Sequence, residues 1–171
     1  YPNDCTGQAL HGHQNPITIA DFKAAVDATV AKQGAVSLCF HAGGWMTNKQ
    51  MVDIVDHSDL THGKKVKFLN MREMDERIVK NMLLGHPLRN DDGGDNGVRV
   101  FDINGDGFMD VLIANKKAKL SRVWEPKNRE WRDVPFPVTL SHDLRFGVLD
   151  ESGNAVAVGP KTGWRFNGKA W

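Results

Sequence analysis

Phe101-Asp102-Ile103-Asn104-Gly105-Asp106-Gly107-Phe108-Met109-Asp110-Val111-Leu112 is the stretch from which the organisation of this chain is best read. Counting from Asp102, oxygen-bearing side chains stand at positions 1, 3, 5 and 9. A glycine at position 6 permits the sharp, positive-φ turn that lets them converge. Hard oxygen donors in that number suit Ca²⁺, with Asp102, Asn104, Asp106 and Asp110 as side-chain ligands and the Phe108 carbonyl between them. Ile113 stands where a paired-helix EF-hand would carry its bidentate Glu, and a strand, Val111-Leu112-Ile113-Ala114, follows at once. The competing reading is an Asp/Asn/Gly-rich turn without an ion, but carboxylates crowded in one turn without a cation repel one another.

Outward from this loop, residues 97–171 carry short β-branched and aromatic runs separated by Gly, Asn, Asp and Pro, the mark of an all-β segment. They also repeat. Trp124 and Trp131 are answered by Trp164 and Trp171, 40 residues later in both cases, and Val98-Arg99-Val100-Phe101 is echoed by Leu144-Arg145-Phe146-Gly147-Val148. A period near 40 with about four short strands per unit is that of a β-propeller blade, so one to two blades are expected. The second unit's Asp150-Glu151-Ser152-Gly153-Asn154 is short and has Val158 in place of the last carboxylate, so no ion is expected there. The four tryptophans fit a blade core better than a sugar-stacking platform, given their register.

The first half reads differently. Phe22, Ala25, Val26, Thr29 and Val30 mark an amphipathic helix with Thr18 and Asp21 as a capping box and Gly34 as its stop. Val36 to Phe40 has the length of a buried strand ending in His41. Thr47 and Gln50 cap a second helix that stops at Gly63, and Lys65 to Leu69 reads as another strand. Asn70 and Glu73 open a third helix with Met71, Met74, Ile78 and Met82 inward. Helix and strand alternating through short connections indicate an α/β segment with a parallel sheet, the tail of a larger α/β domain. The expected organisation is therefore residues 1–86 as the α/β segment, 87–96 as an acidic Gly-rich linker, and 97–171 as the β-segment.

Composition sets limits on function. The 171 residues carry 22 Lys+Arg against 21 Asp+Glu, 40% are hydrophobic and 25% charged. Such a chain is globular, and its net charge of +1 gives no basic face for nucleic acid. No apolar run approaches the roughly 20 residues that cross a bilayer. Tyr1-Pro2-Asn3-Asp4-Cys5 has neither a basic nor an apolar leader region, and no initiator Met, so the chain reads as an excised piece of a longer polypeptide. Cys39, inside an apolar run, reads as a small buried hydrophobe, and its pairing with Cys5 stays open. There is no Gly-x-Ser-x-Gly elbow, no phosphate loop and no Cys-x-x-Cys-His. His11 and His13 lack a third ligand for zinc. His57 and His62, five apart, do not share a helix face and read as solvated.

The stretch Phe101 to Leu112 resembles the FG-GAP (VCBS) repeat of calcium-binding propellers, a resemblance that covers residues 97–171 and implies Asp102, Asn104, Asp106 and Asp110 as ligands of a structural Ca²⁺. Ile19 to Asp27, Leu38-Cys39-Phe40-His41 and Gly63 to Leu69 resemble the C-terminal end of a polysaccharide deacetylase-like barrel, which implies a partial (β/α) barrel-like segment over residues 1–85. That resemblance implies His41 as a general acid toward the leaving amine, where the bland alternative is a His bonded to backbone. The same family holds a divalent metal with an Asp and a His-x-x-x-His pair, and this chain has no His-x-x-x-His. The two segments together resemble the C-terminal regions of large secreted multidomain proteins of planctomycete-type bacteria. The expectation is a calcium-binding, extracytoplasmic (periplasmic or extracellular) module that contacts polysaccharide or protein, its partner being another chain or the rest of a larger polypeptide. It is expected to be non-catalytic alone. The alternative is one part of a metal-dependent polysaccharide deacetylase with His41 as acid.

Overall fold

A computed structural model describes residues 10–41 and 44–171. The chain divides into two compact units between Phe68 and Leu69.

In the first unit, helix α1 (Pro16–Ala31) and helix α2 (Asn48–His62) pack through Ile19, Phe22 and Ile54, with Met46, Leu38 and Met51 completing the cluster. The start of α1 differs from the sequence reading. Asn15 caps it, accepting the Ile17 N–H at 2.9 Å, because a capping amide followed by Pro16 at the first helical position is a stronger start than Thr18 with Asp21. At its other end Gln33, with φ 53°, takes the left-handed turn expected of Gly34. The reading of α2 agrees with the structure: Thr47 and Gln50 cap each other at 2.9 and 3.2 Å, and Gly63, φ 52°, ends the helix. Ser58 is fully buried and returns its hydroxyl to the Ile54 carbonyl at 2.8 Å.

Neither expected strand of this half forms. Residues 36–40 contain a single bridge residue, Cys39, and residues 66–70 follow a 3₁₀ turn, Gly63–Lys65, without joining a sheet. A strand exists only where a neighbour satisfies its N–H and C=O groups, and an apolar run alone does not supply one. Phe40 and Phe68 are accordingly exposed, and so is Cys39, which is not the buried hydrophobe of the sequence reading. Cys5 lies outside the described residues.

The second unit contains helix α3 (Met71–Arg77), which continues as a π-helical turn over Ile78–Met82, and two antiparallel sheets. Asn70 and Glu73 cap α3 reciprocally at 2.9 Å, as read. The first sheet runs in chain order as β1 (Val98–Phe101), β2 (Asp110–Ala114), β3 (Lys119–Glu125) and β4 (Glu130–Pro135). The second is β5 (Arg145–Val148), β6 (Ala155–Val158) and β7 (Gly163–Arg165). Trp124 and Trp131 are cross-strand partners in β3 and β4 with ring centres 5.0 Å apart, while Trp164 lies in β7 and Trp171 follows the last strand.

Strand β2 is buried along its whole length, which explains its unbroken apolar run. Val111 and Ile113 face one way, into a cluster with Leu83 and Val98 that Ile78, Val79 and Met82 cover. Leu112 and Ala114 face the other way, against Ala157 of β6, Phe136 and Leu144. The first sheet is thus the middle layer of its unit.

Residues 69–96 therefore belong to the β-unit, whereas the sequence reading put the third helix with residues 1–86 and a linker at 87–96. Two interactions account for the difference. Arg122 of β3, only 8% exposed, donates to Asp133 at 2.8 Å and to the Asn81 and Met82 carbonyls at 3.1 and 3.0 Å, and it lies 5.1 Å over the Trp131 ring. It thus caps the C-terminal end of the helical segment from the sheet. The acidic Gly-rich stretch folds back through the Arg89–Asp95 bridge, and Asp95 takes a two-pronged bond from Arg99 at 2.8 and 2.6 Å. That guanidinium holds the Asp95 carboxyl well below the usual carboxylate range. Met71, expected inward, is exposed, because the covering surface begins at Ile78.

Arg122→Ala leaves two helix-end carbonyls and Asp133 without their donor, and should destabilise the β-unit by about 2–3 kcal/mol. Arg122→Lys, which lacks the fork, should recover less than half of that loss in urea denaturation.

Candidate functional site

The acidic loop between β1 and β2 is wound on its own amides. The Asp102 carboxylate accepts three backbone N–H groups, from Gly105 and Gly107 at 2.7 Å and from Asp106 at 3.2 Å. Asp106 accepts the Phe108 N–H at 2.9 Å and the Asn104 side-chain amide at 3.0 Å, and Asn104 in turn accepts the Asp106 N–H at 3.2 Å. Gly105 and Gly107 take φ 74° and 81°, which the tight winding requires. A Cβ on Gly105 would stand 2.7 Å from the Gly153 Cα, so the two acidic loops meet glycine to glycine.

Asp110 differs from the other three. It heads β2, is fully buried, and accepts the Ile103 N–H and the Trp124 N–H, each at 2.8 Å, one on each oxygen. Burial pushes its carboxyl up to about 6, and the negative charges of Asp106 and Asp102 add to the rise, against the lowering effect of the two amide donors. No ion pair among the described residues involves Asp102, Asp106 or Asp110. Their carboxylates are not gathered to within 4.8 Å of one another. A cation here has to draw Asp102 and Asp106 away from the loop amides.

The corresponding loop of the second sheet holds its charge by other means. Asp150 pairs with Arg165 at 2.5 Å and accepts the Ser152 N–H at 3.0 Å, and Ser152 Oγ accepts a further Arg165 N–H at 3.1 Å. A guanidinium thus stands beside the Asp150 carboxylate at the surface of this loop.

His41 is exposed, with its ring 4.4 Å from that of Trp45, and His13 lies 5.3 Å from the same ring. The expected strand that would carry His41 to a barrel mouth is not formed, so the position implied by the deacetylase resemblance is not reproduced.

The group that sequence reasoning missed is in the first unit. Asp27 of α1 receives both His57 and His62 of α2 on one oxygen, Oδ1, at 2.8 and 2.6 Å from the two Nε2 atoms. These hydrogen bonds, that of His62 first, lower the Asp27 carboxyl below its usual value. Five residues apart on a regular helix, the two imidazoles would diverge. Here both reach Asp27, His57 from within α2 and His62 as its last residue, with φ −118° still in the right-handed region, ahead of Gly63. Nothing in the sequence marks Asp27 as their partner.

No family model matches the chain, and neither a curated protein nor a solved structure matches it.

In calcium-free solution the Asp110 carboxyl should titrate near 6 by carbon-13 NMR, against 3.8 for an ordinary Asp. The folded-state value is the higher one, so the stability from this group is present below the ordinary value and is lost as pH rises through about 6. Calcium should move the midpoint downward, since the ion favours the carboxylate. A midpoint at the ordinary value, unmoved by calcium, would separate Asp110 from both burial and ion binding.

Proposed function

We propose that the chain is a calcium-binding module that works outside the cytoplasm and contacts polysaccharide or another protein segment, with no catalysis of its own. The observation that carries this is the contrast between the two loops. One sets a fully buried Asp110 behind Asp102 and Asp106 with no cationic side chain among the described residues paired to any of them, while the other pairs Asp150 with Arg165. Three carboxylates without a counter-charge favour a divalent cation, and oxygen donors of this kind favour Ca²⁺ over softer metals. Asp102, Asn104, Asp106, Asp110 and the Phe108 carbonyl would hold it. Its role there would be structural, fixing the turn that joins β1 to β2 and abuts the second loop at Gly153.

The propeller-type reading follows from the same unit. A four-stranded antiparallel meander followed by a three-stranded one, with related tryptophans 40 residues apart, suits one complete and one shortened blade of an FG-GAP-like repeat. Such blades leave strand edges that other segments complete, which is why the partner proposed is another chain or the rest of a larger polypeptide. No helix among the described residues is long and apolar enough to cross a membrane. The alternative reading is one part of a metal-dependent polysaccharide deacetylase with His41 as general acid.

Calorimetric titration of the chelator-stripped chain with CaCl₂ should give one ion per chain with Kd about 10⁻⁴–10⁻³ M, the range of extracellular modules. Asp106→Asn, at an exposed loop position, should weaken binding by about tenfold or more while leaving the fold intact by circular dichroism. Absence of calcium binding at millimolar concentration would overturn the proposal. Deacetylation of acetylated chito-oligosaccharides that disappears in His41→Ala would put the alternative in its place.

A further inference from the structure

Away from the acidic loop, the α1–α2 unit brings together a donor set of a different chemical kind. We propose that Asp27, His57 and His62 form a binding site for a divalent first-row transition ion of the zinc class, which cross-links α1 to α2. Among the described residues they are the only group of three His, Cys, Asp or Glu side chains whose ligand atoms all lie within 4.8 Å of one another. Two imidazole nitrogens and a carboxylate oxygen are the donors that zinc takes, and three protein ligands leave a fourth tetrahedral position for water. Calcium, which prefers oxygen, is not the ion for this site.

The placement has structural support on each side. One turn earlier on both helices, Lys23 pairs with Asp53 at 2.9 Å. The pairs 23–53 and 27–57 advance together, so the helices run in the same direction and hold a polar seam in register. His57 and His62 are largely covered, at 22% and 14% side-chain exposure, while Asp27 keeps 47% and leaves the open side for entry. Thr61 Oγ lies 3.4 Å from His57 Nδ1. That contact occupies the nitrogen facing away from Asp27 and presents Nε2 as the ligand, as orienting partners do around bound metals. The rings of His57 and His62 stand 6.0 Å apart at 87°, so both nitrogens reach one point without stacking. The spacing is His-x₄-His, with the second His on the last residue of its helix, and so it is not the His-x-x-x-His pattern of one helix face.

The unit gains from such a link. Its core is a small cluster around Ile19, Phe22, Met46 and Ile54, and a ligand that binds only the folded form stabilises it by mass action.

The test uses the full chain, stripped with chelator, held in millimolar calcium to fill oxygen sites, and titrated with ZnCl₂ alone. One zinc per chain in the micromolar range or tighter is expected, together with a rise in the melting temperature. His62→Ala and Asp27→Ala should each weaken binding by about 100-fold, and Thr61→Val by about tenfold. The His11→Ala/His13→Ala double variant should bind as the parent does. Where a variant fails to fold, the parent chain alone decides: imidazole NMR during the titration should perturb His57 and His62 first and leave His86 and His142 unmoved. Three results overturn the proposal: no zinc-dependent heat or melting shift, binding unchanged in a folded His57→Ala/His62→Ala variant, or, in a parallel titration with CoCl₂, a thiolate charge-transfer band, which would assign the ion to a cysteine.

Discussion

Asp110 is the constraint on which the β-unit turns. One buried carboxylate accepts an amide from Ile103, at the start of the loop, and another from Trp124, in the neighbouring strand. It thereby fixes the loop's entry, its exit and the β2–β3 pairing through a single side chain. Two amide donors only partly offset the cost of taking a carboxylate out of water, and the neighbouring Asp106 and Asp102 raise that cost further. A cation in front of such a group, as proposed, would offset that cost. The loop turns Asp102 and Asp106 onto its own N–H groups.

Packing around β2 follows from where Asp110 puts it. With both faces covered, by the second sheet on one side and by the helical segment ending at Leu83 on the other, the strand has no polar alternation and reads as a plain apolar run. The helical cover is held from below by Arg122, whose fork reaches the last carbonyls of the π-helical turn. A buried guanidinium that donates to Asp133 and to two helix-end carbonyls, and lies over Trp131, is a specific clamp as well as a charge. It explains why a helix that looks like the end of an α/β segment is instead a layer of the β-unit.

The two units handle charge in opposite ways. The β-unit concentrates carboxylates in one loop and answers its second loop with Arg165, so its chemistry is that of hard oxygen donors. The α1–α2 unit gathers two imidazoles on one carboxylate, a softer set. One chain therefore offers two donor environments that differ in ligand type, the basis on which the two proposed ions would be distinguished.

The sequence by itself determined the features that depend on neighbours in the chain. The capping pairs Thr47 with Gln50 and Asn70 with Glu73, the stop at Gly63 and the acidic loop with its glycines were legible because each is closed within a few residues. The relation of Trp124 and Trp131 to Trp164 and Trp171 was legible as a repeat for the same reason. What only tertiary structure decided are contacts between distant segments. Val36–Phe40 and Lys65–Leu69 have strand-like composition, but a strand is made by its partner, and no local pattern reports whether one is present. Residues 69–96 joined the sheets because Arg122 and Leu83 reach them, across separations that composition does not encode. Asp27 met His57 and His62 across 30 and 35 residues, once α1 and α2 had packed side by side. Local hydrogen bonds are written in adjacent residues, whereas long-range ones exist only once packing has chosen which surfaces meet.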